Sequence, residues 1–411
     1  MTRLRELWQR PVGVPPLGRD AKILIAANSV NAIGSGMAGP YLILFLGHRL
    51  GGTAPATYFM TILVVDLVIQ SLVTPRIEKR AGLRDTAVLG ALFQALGWAA
   101  LIFAGPATVV AAAILIGVGN GLFFSIRFNL QMRVTEPGSR PYAFSLRYLW
   151  GNLAVFVGTG LGALLIMWGG EPAIAGLMVA NSVTFGLLAL ALAMMNNYRV
   201  EVDDSVDEKS PSGRASWRRG LVRVKVLEFS LYYLASLVFF GALTESVLPT
   251  QWVLHDGLPI AFGGVSFGVL AGLILVIQMP VTGATNDMSA AKTLLLSAGL
   301  AAASAIVSLV LRPLGWWWLQ VPLCGALVAV AGAVSVVVPA KSLELFDGAE
   351  QAVQGRLFAF MRSVGIYVGG AVGALALRAD NSGVYVIMLV GAAALAAWGL
   401  RAGARERVRT K

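Results

Sequence analysis

The chain alternates between long apolar segments and short polar connections. Each segment has about 20 residues, the length that an α-helix needs to cross the hydrocarbon core of a bilayer. Helices are expected because lipid offers backbone groups no hydrogen-bond partner and the segments are too long for barrel strands. The pattern predicts twelve spans, which we number in order: 22–46, 56–75, 85–105, 107–130, 142–168, 173–195, 226–250, 260–280, 291–311, 316–340, 355–377 and 382–400. The shortest predicted turns lie at 106 and 313–315.

An internal repeat divides the chain into two halves. The pattern Ile-Gln-x-x-Val-Thr begins at Ile69 and returns at Ile277, an offset of 208 residues in a chain of 411. The register continues beyond it, with three further correspondences: Pro75 with Gly283, Lys79 with Asp287, and Arg84 with Lys292. Such a repeat indicates a parallel duplication. We therefore predict an all-α integral membrane protein of two pseudo-symmetric six-helix bundles, with span 2 ending at Pro75.

Five regions follow from this division. They are an N-terminal segment (1–21), a first bundle (22–195), a linker (196–225), a second bundle (226–400) and a basic tail (401–411). The acidic first part of the linker is typical of a flexible, solvated segment. Its basic second part, which contains Trp217, either lies along the membrane surface or serves only to set the topology.

Composition and charge point to the same class. Hydrophobic residues make up 57% of the chain, charged residues 13%, and the mean hydropathy is +0.74, so that lipid must cover most of the outside. If the N-terminus is cytoplasmic, 28 of the 32 Lys and Arg lie on the cytoplasmic side. This distribution predicts a multi-pass cell-membrane protein with both termini cytoplasmic. It also argues against nucleic acid as a partner, because the basic residues ring the membrane instead of forming one patch.

The loop between spans 2 and 3 carries a family resemblance. From Pro75 to Arg84 it reads Pro-Arg-Ile-Glu-Lys-Arg-Ala-Gly-Leu-Arg. It resembles the major facilitator superfamily signature Gly-x-Leu-Ala-Asp-Arg-x-Gly-Arg-Arg, although Lys79 replaces the Asp. The resemblance implies the fold predicted above, with loops that latch the halves on the cytoplasmic side. The implied latch residues are Arg80, Gly82 and Arg84 in the first loop, and Gly283, Asp287 and Lys292 in the second.

Spans 5 and 11 share a glycine pattern. Gly158 and Gly162 in span 5, and Gly369 and Gly373 in span 11, are similar to the glycines of the superfamily's drug/proton antiporters, whose pattern is Gly-x-x-x-Gly-Pro-x-x-Gly-Gly. The proline is absent from both spans. The resemblance implies antiport, while the spacing alone is equally compatible with close helix packing in lipid.

Three ionisable residues within the spans are candidates for proton coupling. A charge at membrane depth is costly, so each calls for a reason. Asp66 lies midway along span 2, Glu245 in the outer half of span 7, and Arg127 in span 4 on one stripe with Asn120 and Phe124. The alternatives are a structurally paired Asp66, a Glu245 that reaches the interface, and an Arg127 that extends to the inner headgroups.

Uncharged polar and aromatic residues supply candidates for the substrate cavity. They are Asn31, Gln70, Asn120, Phe124, Asn152, Tyr233 and Phe240. Ordinary helix packing is the alternative for each of them. Two histidines and a single cysteine, Cys324, provide neither a disulfide framework nor a probable metal site, and no cofactor is expected.

The sequence therefore favours a secondary active transporter. We expect it to export small apolar or amphipathic organic compounds by proton antiport, with alternating access and as a monomer. An importer or facilitator of one metabolite remains the nearest alternative. A membrane-embedded enzyme is disfavoured, because His48 and His255 fall in predicted outer loops and no phosphate-binding glycine loop occurs.

Overall fold

The computed structural model describes the first half of the chain almost completely. The described residues are 15–51, 53–103, 105–136 and 139–198, together with shorter stretches between 253 and 371, of which 290–311 is the longest. No β-strand occurs among them. This secondary structure confirms the prediction of an all-α protein.

Seven long helices make up most of this region. They are α1 (Arg19–Leu50), α2 (Ala54–Val68), α3 (Thr74–Ala100), α4 (Pro106–Val134), α5 (Arg140–Gly169), α6 (Ala173–Ala193) and α7 (Ala290–Leu311). A wide π turn, Ile69–Val73, joins α2 to α3, and a 3-10 turn, Leu101–Phe103, follows α3. Prolines open α2, α4 and α5, where a missing backbone N–H is tolerated.

Five helical runs in the described part of the chain are long and apolar enough to cross a membrane. The run Ala54–Phe103 has 50 residues, enough for two crossings at about 20 residues each. Both short predicted turns are also present. Gly105 is extended just before α4, and residues 313–315 form a turn in which Gly315 has a φ of 68°.

The prediction that Pro75 ends span 2 is wrong. Pro75 stands in the first turn of α3, where proline is compatible with a helix, and the chain stays helical as far as Ala81. The reversal occurs at Gly82, whose φ of 86° and ψ of 174° interrupt the helix. Only glycine adopts this backbone conformation readily. Span 2 is therefore longer than its apolar segment, and Arg76, Lys79 and Arg80 lie on its helical extension.

The first-half helices form one bundle. Helix α1 packs on α5 and α6, α3 packs on α4 and α6, and α2 packs on α4. The core between them is apolar and includes Tyr41, Ile62, Leu83 and Phe123, each less than 2% exposed.

The two ends of this bundle differ in charge. One end, here called the basic end, contains the start of α1 at Arg19, the turn at Gly82 and residues 195–198. At the opposite end, the Arg49 guanidinium lies 4.0 Å from the Glu171 carboxylate, both side chains being partly exposed. The topology predicted from the basic residues assigns the basic end to the cytoplasmic side.

The second half contacts the first on two sides. On one side the Tyr41 hydroxyl of α1 donates a long hydrogen bond, 3.4 Å, to the Ala261 carbonyl of span 8. Nearby, a Cβ at Gly268 of span 8 would lie 2.9 Å from the Thr159 hydroxyl of α5. On the other side, Tyr367 of span 11 meets α2 and α4. In a chain of two six-span halves, span 5 corresponds to span 11 and span 8 to span 2. The contact between spans 5 and 8 is therefore equivalent to the contact between spans 11 and 2, as expected for two bundles related by a two-fold axis.

Candidate functional site

Glycines on α4 bring α2 close to the middle of the bundle. A Cβ at Gly117 would lie 2.8 Å from the Val65 Cβ, and one at Gly121 would lie 3.0 Å from the Asp66 carbonyl. The Thr74 hydroxyl donates a hydrogen bond of 2.8 Å to the Gly121 carbonyl. Small residues permit such close approach of helices in lipid. The α2–α4 crossing therefore determines where the Asp66 side chain lies.

Asp66 is buried at mid-depth. Its side chain is 2% exposed, and it lies twelve residues after Ala54, or about 18 Å along the helix axis. It shares the buried face of α2 with Phe59 and Ile62. The structure thus places the sequence-predicted carboxylate inside the protein and away from lipid.

A chain of hydrogen bonds crosses the bundle at the same depth. The Gln94 carboxamide on α3 donates to the Asn120 carbonyl oxygen on α4, and the Asn120 carboxamide donates to the Tyr367 hydroxyl of span 11. Gln94 is 2% and Asn120 4% exposed. The Phe59 and Tyr367 rings also approach, with centroids 6.4 Å apart. The sequence singled out Asn120 but missed Gln94 and Tyr367.

A signal for Gln94 was available. It is a polar residue in the middle of the apolar segment 85–105, the same property that drew attention to Asn120. The sequence signal for Tyr367 was weaker. A tyrosine in a glycine-rich span commonly serves in helix packing, and the sequence does not show which group its hydroxyl bonds to.

Arg127 and Phe124 are neighbours on α4, as their spacing predicts. The Arg127 guanidinium carbon lies 4.9 Å from the centroid of the Phe124 ring, which is within the range of a cation–π interaction. One turn further on, Gln131 is 1% exposed, and neither of its amide atoms has a hydrogen-bond partner among the described residues. Phe124, Arg127 and Gln131 follow one another on α4 at spacings of three and four residues, which place them on one face of the helix.

The other predicted cavity residues differ in their surroundings. Asn31 is 9% exposed, and its carbonyl oxygen has no partner in the described part of the chain. The Gln70 carboxamide nitrogen is likewise buried without a described partner. Asn152 instead donates to the Tyr148 carbonyl of its own helix, 2.9 Å away. Tyr233, Phe240 and Glu245 lie outside the described residues.

The antiporter-like glycines of span 5 pack against α1. A Cβ at Gly158 would lie 3.0 Å from the Ile33 Cα, and one at Gly162 would lie 2.8 Å from the Met37 carbonyl. Both contacts are with backbone atoms, so the two helices are as close as glycine permits. Packing is thus an observed role of these glycines, and antiport stays a prediction. Gly369 and Gly373 lie outside the described residues.

The first latch loop is tied to the end of span 6. The Asn197 carboxamide donates to the Ala81 carbonyl at 2.7 Å and to the Asp85 carboxylate at 3.0 Å. The Leu83 backbone N–H donates to the Tyr198 carbonyl at 2.9 Å, and Arg84 donates to the Met195 carbonyl at 3.1 Å. The loop therefore rests on residues 195–198, which we call the strap.

The side chains of the latch residues differ in their contacts and exposure. Arg84 pairs with Asp85, the next residue, at 2.7 Å, whereas Arg80 is exposed. Lys292 is exposed at the start of α7, and Gly283 and Asp287 lie outside the described residues. With Lys79 in place of the signature's aspartate, Asp85 is the observed acidic partner of the loop arginine.

Asp20 anchors the strap to the start of α1. One of its carboxylate oxygens accepts three hydrogen bonds: from the Asn196 backbone and side chain, each 3.0 Å, and from the Tyr198 hydroxyl, 2.8 Å. Burial, followed by the adjacent Asp20 carboxylate, raises the pKa of Tyr198. The hydrogen bond that the Tyr198 hydroxyl donates therefore contributes its full stability at pH values below the ordinary pKa of tyrosine. This contribution is lost as the pH rises through the raised pKa of Tyr198. The first three residues of the predicted linker, 196–198, are therefore held at the end of the first bundle, and its acidic part lies outside the described residues.

Removing the Asp20 carboxylate should loosen the basic end. We expect Asp20→Ala to lower the free energy of unfolding by about 1–3 kcal/mol, because it removes the shared acceptor of three hydrogen bonds. Lys22→Ala, two residues away and exposed, is the matched control and should change it by less than about 0.5 kcal/mol. Thermal unfolding of the purified protein in detergent measures both. Equal effects would mean that Asp20 does not hold the strap.

Comparison with known proteins identifies the family. The family model described as Major Facilitator Superfamily matches residues 24–374. The chain belongs to this superfamily. The match covers almost all of the first predicted bundle and the second as far as residue 374, including Ala261 and Tyr367. No curated protein sequence matches the chain.

Solved structures of superfamily-type transporters share the fold. A POT family transporter in complex with a thioalcohol-conjugated peptide has a TM-score of 0.74 at 14% identity, covering 96% of this chain and 97% of that one. The nucleoside transporter NupG has a TM-score of 0.68 at 11% identity, covering 94% and 99%. At these identities the likeness shows the fold. The protein is a multi-pass membrane transporter of the major facilitator fold and not an enzyme.

Proposed function

We propose that this transporter is a proton-driven exporter of small apolar or amphipathic organic compounds. The observation that carries the proposal is the burial of Asp66 at mid-depth between α2 and α4. A carboxyl group in a membrane interior is costly to keep charged and is usually functional. Gaining and losing a proton there gives the protein two charge states that an imposed pH gradient can drive.

The position of Asp66 relative to the second half supports this role. Asp66 follows Phe59 by seven residues, or nearly two helical turns, and both are on the buried face of α2. Phe59 faces the Tyr367 ring of span 11. The carboxyl group therefore lies on the side of the first bundle that faces its partner bundle, where a carrier would expose a site alternately to each side of the membrane.

The neighbouring side chains favour an amphipathic substrate. Aromatic rings at Phe59, Phe124 and Tyr367 offer apolar surface, and Asn120 offers a polar group at the same depth. Few charged side chains lie within the spans, which favours apolar compounds over sugars. We further propose that the basic end is cytoplasmic, since basic loops favour that side.

The proposal predicts that Asp66→Asn abolishes gradient-driven transport. The protein would be reconstituted in vesicles with an imposed pH gradient, and uptake of a fluorescent lipophilic cation followed against its concentration gradient. Asn keeps the size of the side chain but cannot exchange a proton. We expect the wild type to accumulate the dye and Asp66→Asn to fall to the level of protein-free vesicles.

Glu171→Gln provides the control for loss of a carboxylate. Glu171 lies at the opposite end of the bundle, partly exposed, and its ion pair is of a kind that contributes little. This variant should pump like the wild type. Normal pumping by a folded Asp66→Asn protein would refute Asp66 as the proton site, and Glu245 would be tested next.

Import of one metabolite is the second candidate. It is favoured by solved structures of similar fold, which include a peptide transporter and a nucleoside transporter. If no dye in a broad panel moves with the gradient in wild-type vesicles, while a peptide or nucleoside does, export of apolar compounds is wrong and import replaces it.

A further inference from the structure

We propose that the hydrogen bond between Asn120 and Tyr367 is a lock that holds the two halves together in one state of the transport cycle, and that Gln94 positions it. The inference rests on the proposed motion of one half against the other. It does not depend on proton coupling or on the direction of transport.

The lock joins the halves at the middle of the membrane. Asn120 lies fourteen residues from each end of α4, Pro106 and Val134, and it is 4% exposed. Its partner Tyr367 is 247 residues away, in the helical stretch 363–368 of the second half. A bond inside one bundle survives when the bundles move, whereas a bond between them must break. This bond therefore differs in energy between the states.

Gln94 sets the direction of the Asn120 carboxamide. Because the Asn120 carbonyl oxygen accepts from Gln94, its NH₂ group is directed towards Tyr367. Gln94 can reach α4 because Gly119 has no side chain: a Cβ there would lie 2.6 Å from the Gln94 Cγ. The hydrogen bond of Gln94 is with Asn120, in its own half of the protein. Gln94 therefore acts as a positioning residue.

Apolar contacts between the halves, beside the lock and on the opposite side, would survive loss of the Tyr367 hydroxyl. The Phe59 and Tyr367 rings pack at 6.4 Å, and a Cβ at Gly272 would lie 2.9 Å from the Phe156 ring. Tyr367→Phe keeps the ring and removes the hydroxyl that accepts from Asn120. A hydrogen bond between membrane helices contributes about 0.6 kcal/mol on average and up to about 1.7. Loss of the bond should therefore lower the population of the closed state, in which the lock is formed, relative to the open states by about three- to eighteenfold.

Thr159 and Gly268 provide a direct reporter of this closed state. An ideal Cβ at Gly268 lies 3.7 Å from the Thr159 Cβ, a separation typical of disulfides. The two residues belong to different halves, α5 and span 8. The buried native thiol is removed by Cys324→Ala. In that background, Thr159→Cys with Gly268→Cys should form a disulfide under a membrane-permeant oxidant, at a rate proportional to the closed population.

The experiment adds Tyr367→Phe to this reporter in lipid nanodiscs, without substrate or pH gradient. We expect disulfide formation to slow by about three- to eighteenfold. Gln94→Leu should slow it in the same direction, because the Asn120 carboxamide loses its orientation. Tyr142→Phe, which removes a tyrosine hydroxyl near the start of α5, is the control and should leave the rate unchanged.

Each outcome separates the lock from the proposed function. Equal rates in the reporter and its Tyr367→Phe version would refute the lock and leave proton-driven export untouched. If the Gln94→Leu protein is less thermostable but cross-links as fast as the reporter, Gln94 stabilises the first bundle by packing and does not position the lock. Failure of the parent reporter to cross-link would show that the halves do not meet at Thr159 and Gly268, which would overturn the closed state itself.

Discussion

A methyl group added at Gly158 should destabilise the protein by about 1–3 kcal/mol, the usual cost of overpacking a well-packed interior. The added Cβ would lie 2.9 Å from the Ile33 carbonyl carbon and 3.0 Å from its Cα. These are backbone atoms of α1, which cannot turn away as a side chain would. Gly158→Ala therefore has to push α1 and α5 apart. Thermal or denaturant unfolding in detergent measures the loss.

Gly160→Ala is the matched control on the same helix. No atom lies within 4 Å of a Cβ at Gly160, so that only the helix propensity changes, in favour of alanine by about 0.5–1 kcal/mol. The two variants should shift the midpoint in opposite directions. If Gly158→Ala is as stable as Gly160→Ala yet loses transport, packing would not explain the glycine, and the antiporter resemblance would gain weight.

Gly82→Ala should be the second severe substitution. Gly82 has a φ of 86° and a ψ of 174°, a region of backbone space almost confined to glycine, and we expect about 1–3 kcal/mol of strain. The new Cβ would also lie 3.0 Å from the Asn197 Cγ. Asn197 cannot yield freely, because it donates to the Ala81 carbonyl and the Asp85 carboxylate.

Gly51 separates the two contributions. Its φ of 85° and ψ of 163° are nearly those of Gly82, but no atom lies within 4 Å of its Cβ position. Gly51→Ala therefore measures strain alone. We expect Gly82→Ala to cost about 1–3 kcal/mol more, the price of lost hydrogen bonds in a buried setting. Equal losses in unfolding experiments would show that the strap does not constrain the turn.

Local sequence patterns and tertiary contacts differ in how far the sequence reveals them. The spans of the first half were predictable because burial in lipid requires long apolar runs whatever the neighbours are. The turn at Gly82 was misplaced because proline is compatible with the first turn of a helix as well as with its end. The φ of a glycine depends on the tertiary contacts that hold it. Here those contacts come from Asn197, at the far end of the bundle's sequence.

The candidate site was predicted in part for a similar reason. Asp66 and Asn120 were recognisable as polar residues within apolar segments. Their partners were not, because a local pattern carries no information on which helix lies opposite. The bond from Asn120 to Tyr367 joins residues 247 positions apart, and the glycines of span 5 meet Ile33 and Met37 only through the fold.

The π turn between α2 and α3 has a consequence for comparing this chain with its relatives. In Ile69–Val73 the Thr74 N–H bonds to the Ile69 carbonyl, five residues back instead of four, so the helix carries one surplus residue. Beyond it, side chains are rotated by about 100° relative to an uninterrupted helix. An alignment with a straight-helix relative therefore needs a one-residue gap there. Without that gap, Asp66 would be matched correctly, while every position from Thr74 to Ala81 would be paired with the wrong face.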